Sequence, residues 1–167
     1  MKNLEKNIAF VDGQNLHLGT TGDNWKIDLN KFRIYLKDRY KVSEAYYFLG
    51  YFSIQQESLY NNLKQAGFIV LFKDHDVRLI ASKKGNVDSD IVFEAMRNVV
   101  DNKDFDRVVL VSGDGDYKKL VDYLIKKVKF RKLLFPNRRA SSLYKILGSE
   151  YFDYLDSFDT KEKIRYK

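Results

Sequence analysis

Short apolar runs alternate with longer amphipathic stretches from one end of this chain to the other. Asn7 to Val11 is a mainly apolar run halted by Asp12 and Gly13, which predicts a buried strand ending in a loop. A polar loop holding Gly19 and Gly22 is expected next. Leu29, Phe32, Ile34 and Leu36 mark a helix over Leu29 to Tyr40. Ala45 to Leu49 predicts a second strand, and Ile54 to Ala66 a helix closed by Gly67 at its C-cap. Phe68 to Phe72 is apolar throughout, the pattern of a strand covered on both faces. Between Lys73 and Gly85 the pattern is ambiguous: Val77 to Ala81 fits either a strand extension or a lateral strand. Ile91, Ala95 and Val99 give helical spacing over Ser89 to Val100, and Arg107 to Val111 is a fourth strand, broken by SGDGD. A helix over Tyr117 to Lys127, a strand over Phe130 to Phe135, a turn at Pro136 and a helix over Ser142 to Leu147 complete the series. From Asp156 onward the mixed charge predicts a fraying end, with residues 159–167 a charged tail.

Strands that alternate with helices along nearly the whole chain predict an α/β domain, with a mostly parallel central sheet flanked by helices on both faces. The 167 residues suit one domain, spanning residues 1–158 before the tail, and 44% of them are hydrophobic, enough to build a core. No cysteine is present, which excludes a disulfide framework and thiolate zinc sites. No stretch approaches the roughly 18 apolar residues of a membrane helix, and the first ten residues lack the pattern of a signal peptide. A soluble cytoplasmic protein with no membrane partner is the expectation. The net charge of +7 favours a polyanionic partner, although solubility alone is the ordinary reading of such an excess.

The positions of the aspartates say more than their number. Asp12 directly follows the first strand, Asp114 lies just after the fourth, and Asp116 is two residues further on. In an open parallel sheet the residues past the carboxyl ends of the strands line the ligand crevice. Asp88 and Asp90 stand at the start of the helix that precedes the fourth strand. Two carboxylates about 4 Å apart repel by roughly 4 kcal/mol at an effective dielectric of about 20, so convergence calls for a cation. Hard oxygen ligands suit Mg²⁺ or Mn²⁺, and such an ion suits phosphodiester hydrolysis. Each aspartate also has a structural reading: Asp88 or Ser89 as a helix cap, Asp114 and Asp116 as turn formers, Asp12 as a loop residue. Their joint position at strand ends favours a site.

Three motifs resemble those of the NYN family, metal-dependent nucleases of the PIN-like superfamily that include the LabA-like branch. They are FVDGQN at Phe10 to Asn15, KGNVDSD at Lys84 to Asp90, and LVSGDGDY at Leu110 to Tyr117. The closing stretch FPNRRASSLYKILGSEYFDYL is similar as well, so the resemblance covers Asn7 to Phe158. It implies a three-layer PIN-like, Rossmann-like domain and a metal-dependent endoribonuclease acting through Mg²⁺ or Mn²⁺. It also implies that Asp12, Asp88, Asp114 and Asp116 ligate metal or activate water. Asn15 would then orient Asp12 or contact the scissile phosphate, and Ser112 would support the metal loop. Many relatives carry a further aspartate six residues past the central one, where this chain has Glu94. Asp90 is the alternative carboxylate, ranked after Asp88 and before Glu94.

Eight cations and no acid lie between Lys126 and Lys145: Lys126, Lys127, Lys129, Arg131, Lys132, Arg138, Arg139 and Lys145. Lys118 and Lys119 lie just upstream, and Lys83 and Lys84 flank the central aspartates. Lys84, Lys118, Lys119, Arg138 and Arg139 are the candidate contacts to a nucleic-acid backbone; a solvated helix face is the plainer reading. Tyr117, beside the acidic loop, is the best candidate to stack on an unpaired base. His17 and His75 fall in no metal-ligand spacing and are read as structural or surface residues.

RNA, single-stranded or structured, is thus the expected partner, and a homodimer stays open. A catalytically weak nucleic-acid-binding or adaptor module with the same fold is the alternative function. A phosphotransfer domain is a third reading, but haloacid phosphatases want a second aspartate where Gln14 stands, and receivers want an acid where Val11 stands. Neither GxxxxGK[ST] nor GxGxxG occurs, so a nucleotide cofactor has little support.

Overall fold

The computed structural model describes residues 5–73, 87–101 and 104–167. Among these residues, six strands form one sheet in the order β3-β2-β1-β4-β5-β6, and every neighbouring pair is parallel. They are β1 (Asn7–Asp12), β2 (Val42–Leu49), β3 (Ile69–Phe72), β4 (Val108–Val111), β5 (Phe130–Phe135) and β6 (Phe152–Tyr154). Six α-helices connect or follow them: α1 (Gly13–Thr21), α2 (Leu29–Tyr40), α3 (Glu57–Gln65), α4 (Asp88–Val100), α5 (Lys118–Lys126) and α6 (Phe158–Ile164). The predicted three-layer α/β architecture is the one observed.

Alternation along the strands divides the core in two. Ile8 and Phe10 of β1 face one layer with Val108 and Leu110 of β4, joined by Ile91 and Ala95 of α4 and Leu120, Val121 and Leu124 of α5. Ala9 and Val11 face the other with Val109 and Val111, against Leu16 of α1, Phe32 and Leu36 of α2, Leu63 of α3 and Ile164 of α6. All six residues of β1 are buried because both faces of this central strand are covered. The chain proceeds from β1 to β2 and β3 on one side, then crosses back to place β4 on the other side of β1. The carboxyl ends of β1 and β4 therefore flank a topological switch point, where a ligand crevice forms.

Four expectations need correction. The loop expected after Asp12 is α1, whose N-cap is the Asp12 carboxylate accepting from the Asn15 amide. Gly13 lets this helix start against β2: a Cβ there would lie 2.6 Å from the Phe48 carbonyl oxygen. The third strand, at the sheet edge, is not covered on both faces: Ile69 is 41% exposed and the other three residues are only half-buried. The helix expected over Ser142 to Leu147 is a single 3-10 turn, Ser142–Tyr144. The end expected to fray from Asp156 contributes α6, with Ile164 fully buried and Arg165 bridged to Ile27. Ile164 docks this charged helix beside α2, with the Asp28 amide donating to the Ile164 carbonyl and Lys161 lying over the Trp25 ring. The stretch Val77 to Ala81 lies outside the described residues.

Candidate metal centre

At the switch point, three carboxylates from two separate parts of the chain come together. One oxygen each from Asp88, Asp114 and Asp116 lies within 4.8 Å of the others. Asp88 is the first residue of α4, and Asp114 and Asp116 belong to the turn between β4 and α5. That turn is shaped by its own polar groups. Asp114 Oδ1 accepts from the Asp116 amide at 3.0 Å, and the Ser112 hydroxyl accepts from the Asp114 amide at 3.1 Å. Tyr144 donates to the Asp114 carbonyl at 2.6 Å, so the 3-10 turn at 142–144 presses on the loop from outside. Gly115 is needed there, since a Cβ would come within 2.5 Å of Ser141 Oγ.

Asp12 stands behind this group, nearly inaccessible to solvent. Its Oδ1 accepts from the Asn15 amide at 3.0 Å. Its Oδ2 is reached by the Tyr117 hydroxyl at 3.1 Å and, more distantly, by Ser112 Oγ at 3.4 Å. The same Tyr117 hydroxyl lies 2.8 Å from Asp88 Oδ1, so one phenol stands between two carboxylates from distant parts of the chain. Burial pushes the Asp12 carboxyl above the usual carboxylate range and the Asp88 charge adds to it, against the opposing hydrogen bond from Asn15. The exposed Asp116 is raised by the neighbouring charges of Asp114 and Asp88. Burial, then the charges of Asp12 and Asp88, keep the Tyr117 hydroxyl protonated far beyond its ordinary range.

The other candidates divide. Asn15 lies across the crevice, its Oδ1 accepting from the Gly113 amide at 2.8 Å. Glu94 is outside the group of three and pairs with Arg97 at 2.8 Å. Asp90 is also outside it, and its buried Oδ2 has no hydrogen-bond partner among the described residues. Arg139 lines a cavity of about 230 Å³ with Asn15, Gly113 and Ala140, and pairs with Asp23 at 2.6 Å. Arg138 lies over the Tyr154 ring and near Asp156. Lys118 is held by Asp122 one turn along α5, Lys119 is exposed, and Lys84 and His75 lie outside the described residues. His17 is exposed on α1 and belongs to no metal-type group among the described residues.

One expectation about the surroundings fails. Tyr117 does not stack on a ligand, because its ring is fully buried in the layer containing Phe10, Ile91 and Leu120. The signal was present: Tyr117, Leu120, Val121 and Leu124 recur at i, i+3, i+4 and i+7, the spacing of a core-facing helix stripe. The cations of the basic run lie at different heights along the sheet. Lys129 precedes β5 and Pro136 follows it, so at about 3.3 Å per residue they lie roughly 20 Å apart. Lys129 bonds the Phe105 carbonyl, Arg131 approaches Glu5 and Lys132 approaches Asp153, leaving Arg138 and Arg139 at the carboxyl edge.

Comparison with known proteins places the chain in a family. The NYN domain family model matches residues 7–145. The Low amplitude and bright protein LabA of Synechococcus elongatus is 26% identical over 124 residues, which cover 69% of this chain and 65% of that protein. The chain thus spans just under two thirds of that relative's length. A crystal structure of a Vibrio parahaemolyticus protein of unknown function matches with a TM-score of 0.78 at 26% identity, covering 99% of each chain. With the family model matching residues 7–145, most of the chain, the chain belongs to the NYN domain family.

Proposed function

We propose that this NYN domain is a metal-dependent endoribonuclease that hydrolyses RNA phosphodiester bonds. The observation that carries the reading is the approach of Asp88, Asp114 and Asp116 to within 4.8 Å at the switch point of a parallel sheet. The donor set fits the ion: three carboxylates are hard oxygen ligands, suited to Mg²⁺ or Mn²⁺, and their mutual repulsion is relieved by a cation. Asp88, Asp114 and Asp116 would hold it, with Asp12 adding a fourth acidic group behind them. When bound, such an ion supplies Lewis acidity toward a phosphoryl oxygen and lowers the pKa of a coordinated water.

The chain's own residues have separate tasks. Asn15 spends its carbonyl oxygen on Gly113, which leaves its Nδ2 as a donor for a phosphate oxygen. Arg139 and the cavity between α1 and the loop after β5 offer the flanking nucleotide a place beside the acids. Lys119 and Arg138 are further backbone contacts, since exposed cations near the edge attract phosphate in a salt-dependent way. The test is incubation of the purified chain with single-stranded and structured RNAs in Mn²⁺ or Mg²⁺. Internal cleavage lost in EDTA and in Asp114→Asn supports the reading. Cleavage that persists under both conditions, or salt-sensitive RNA binding without any cleavage, overturns it; the latter is the result a binding or adaptor module gives.

A further inference from the structure

We propose that Tyr117 is a positioning residue of the metal centre, whose hydroxyl fixes the Asp88 carboxylate against Asp12 and so keeps Asp88 in register with Asp114 and Asp116. The proposal rests on the metal-site reading above and deepens it. Asp88 opens α4, and Val87 before it supplies no side-chain cap. The carboxylate also lies beside two others, Asp114 and Asp116, so its orientation matters to any shared cation. The Tyr117 hydroxyl is one group that sets that orientation, at 2.8 Å from Asp88 Oδ1 and 3.1 Å from Asp12 Oδ2.

The strut is stiff because of where its ring lies. Tyr117 has no exposed surface and sits in the apolar layer with Phe10, Ile91 and Leu120, so packing fixes the position of its oxygen. A phenylalanine would serve packing alone. A hydroxyl carried into that layer costs desolvation unless it finds partners, and here the partners are the two carboxylates. The local chain geometry couples the two jobs: the 3-10 turn Gly115–Tyr117 sends Asp116 out to solvent and the next side chain into the core. One turn thus delivers a candidate ligand and the brace for another ligand on a different element. Groups that orient metal ligands commonly affect affinity by about 10–100-fold when removed.

The test is Mn²⁺ binding to the full chain, read by calorimetry or by the free-ion EPR signal, for the wild type, Tyr117→Phe, Asp88→Asn, the double variant and Asp114→Asn. Tyr117→Phe is expected to weaken Mn²⁺ binding by about 10–100-fold. Added to Asp88→Asn it is expected to change binding by less than about twofold, because the ligand it positions is already gone. A loss of similar size in both backgrounds would assign Tyr117 a general structural role and overturn the proposal. So would wild-type binding by Tyr117→Phe while Asp114→Asn loses the ion, an outcome that leaves the metal-site reading standing. Wild-type binding by Asp114→Asn would overturn both.

Discussion

The Gly113 amide donates to the Asn15 side-chain oxygen at 2.8 Å, joining the first turn of α1 to the loop after β4, 98 residues apart in the chain. The bond crosses the crevice from the end of β1 to the end of β4, so it sets the width at which the acidic groups face one another. Asn15→Ala orphans that amide and loses a phosphate donor. A stability loss of about 1–2 kcal/mol is expected, or a few degrees in Tm, with RNA cleavage reduced at least about tenfold. Thermal unfolding and initial rates on one RNA check it; an unchanged rate would remove Asn15 from the site.

Asp12 and Asp116 both hold their protons more tightly than ordinary aspartates, the first through burial and the second through Asp114 and Asp88. A carboxyl raised on folding binds more protons in the native state. Its stabilising contribution is complete below the unfolded value of about 3.9 and is lost as pH rises through the higher folded value. The metal-free protein should therefore weaken from about pH 4 upward on account of these groups. Asp12→Asn removes one of them while keeping an acceptor for the Asn15 amide. The difference in Tm between this variant and the wild type, both without metal, is expected to shift in the variant's favour as pH rises to 7. A shift the other way contradicts the account, as does RNA cleavage by Asp12→Asn at the wild-type rate.

Metal should reverse that penalty. A ligand at 100 times its Kd stabilises the native state by about 2.7 kcal/mol, roughly 5–10 °C for a domain of this size. Mn²⁺ or Mg²⁺ is expected to raise Tm by that order in the wild type and by little in Asp114→Asn. Equal shifts in the two proteins would place the ion elsewhere.

Arg139 meets Asp23 at the mouth of the cavity, with its side chain two-thirds exposed. An exposed pair of this kind adds little to stability, so Arg139→Ala is expected to change unfolding by less than about 1 kcal/mol. RNA affinity should fall, and the slope of log K against log salt should decrease in size by about 1, the loss of one phosphate contact. Titrations at several salt concentrations decide it, and an unchanged slope would remove Arg139 from the RNA path.

Much of this was legible in the residues. The helix over Leu29 to Tyr40 and the strand over Phe130 to Phe135 have the bounds their apolar spacing predicts. Asp12, Asp88, Asp114 and Asp116 were nameable because each sits where a strand ends or a helix begins. What stayed hidden depended on neighbours distant in sequence. Gly13, Gly19 and two threonines are poor helix formers, and α1 exists because Asp12 caps it and its first turn fits against β2. The run FIVLF does not say whether its strand is central or at an edge. The choice among Asp88, Asp90 and Glu94 is a matter of rotation about α4, about 100° per residue, which only the placement of that helix against the β4 turn decides. Tyr117 was misplaced by its neighbours: two aspartates suggested a surface, while the stripe it begins belongs to the core.

The most direct measurement is the anomalous difference density at the manganese edge from crystals grown with Mn²⁺. The account predicts a peak within coordination reach, about 2.1 Å for such hard cations, of oxygens from Asp88, Asp114 and Asp116. A fully occupied peak elsewhere, with those three carboxylates bonded only to protein and water, would contradict it.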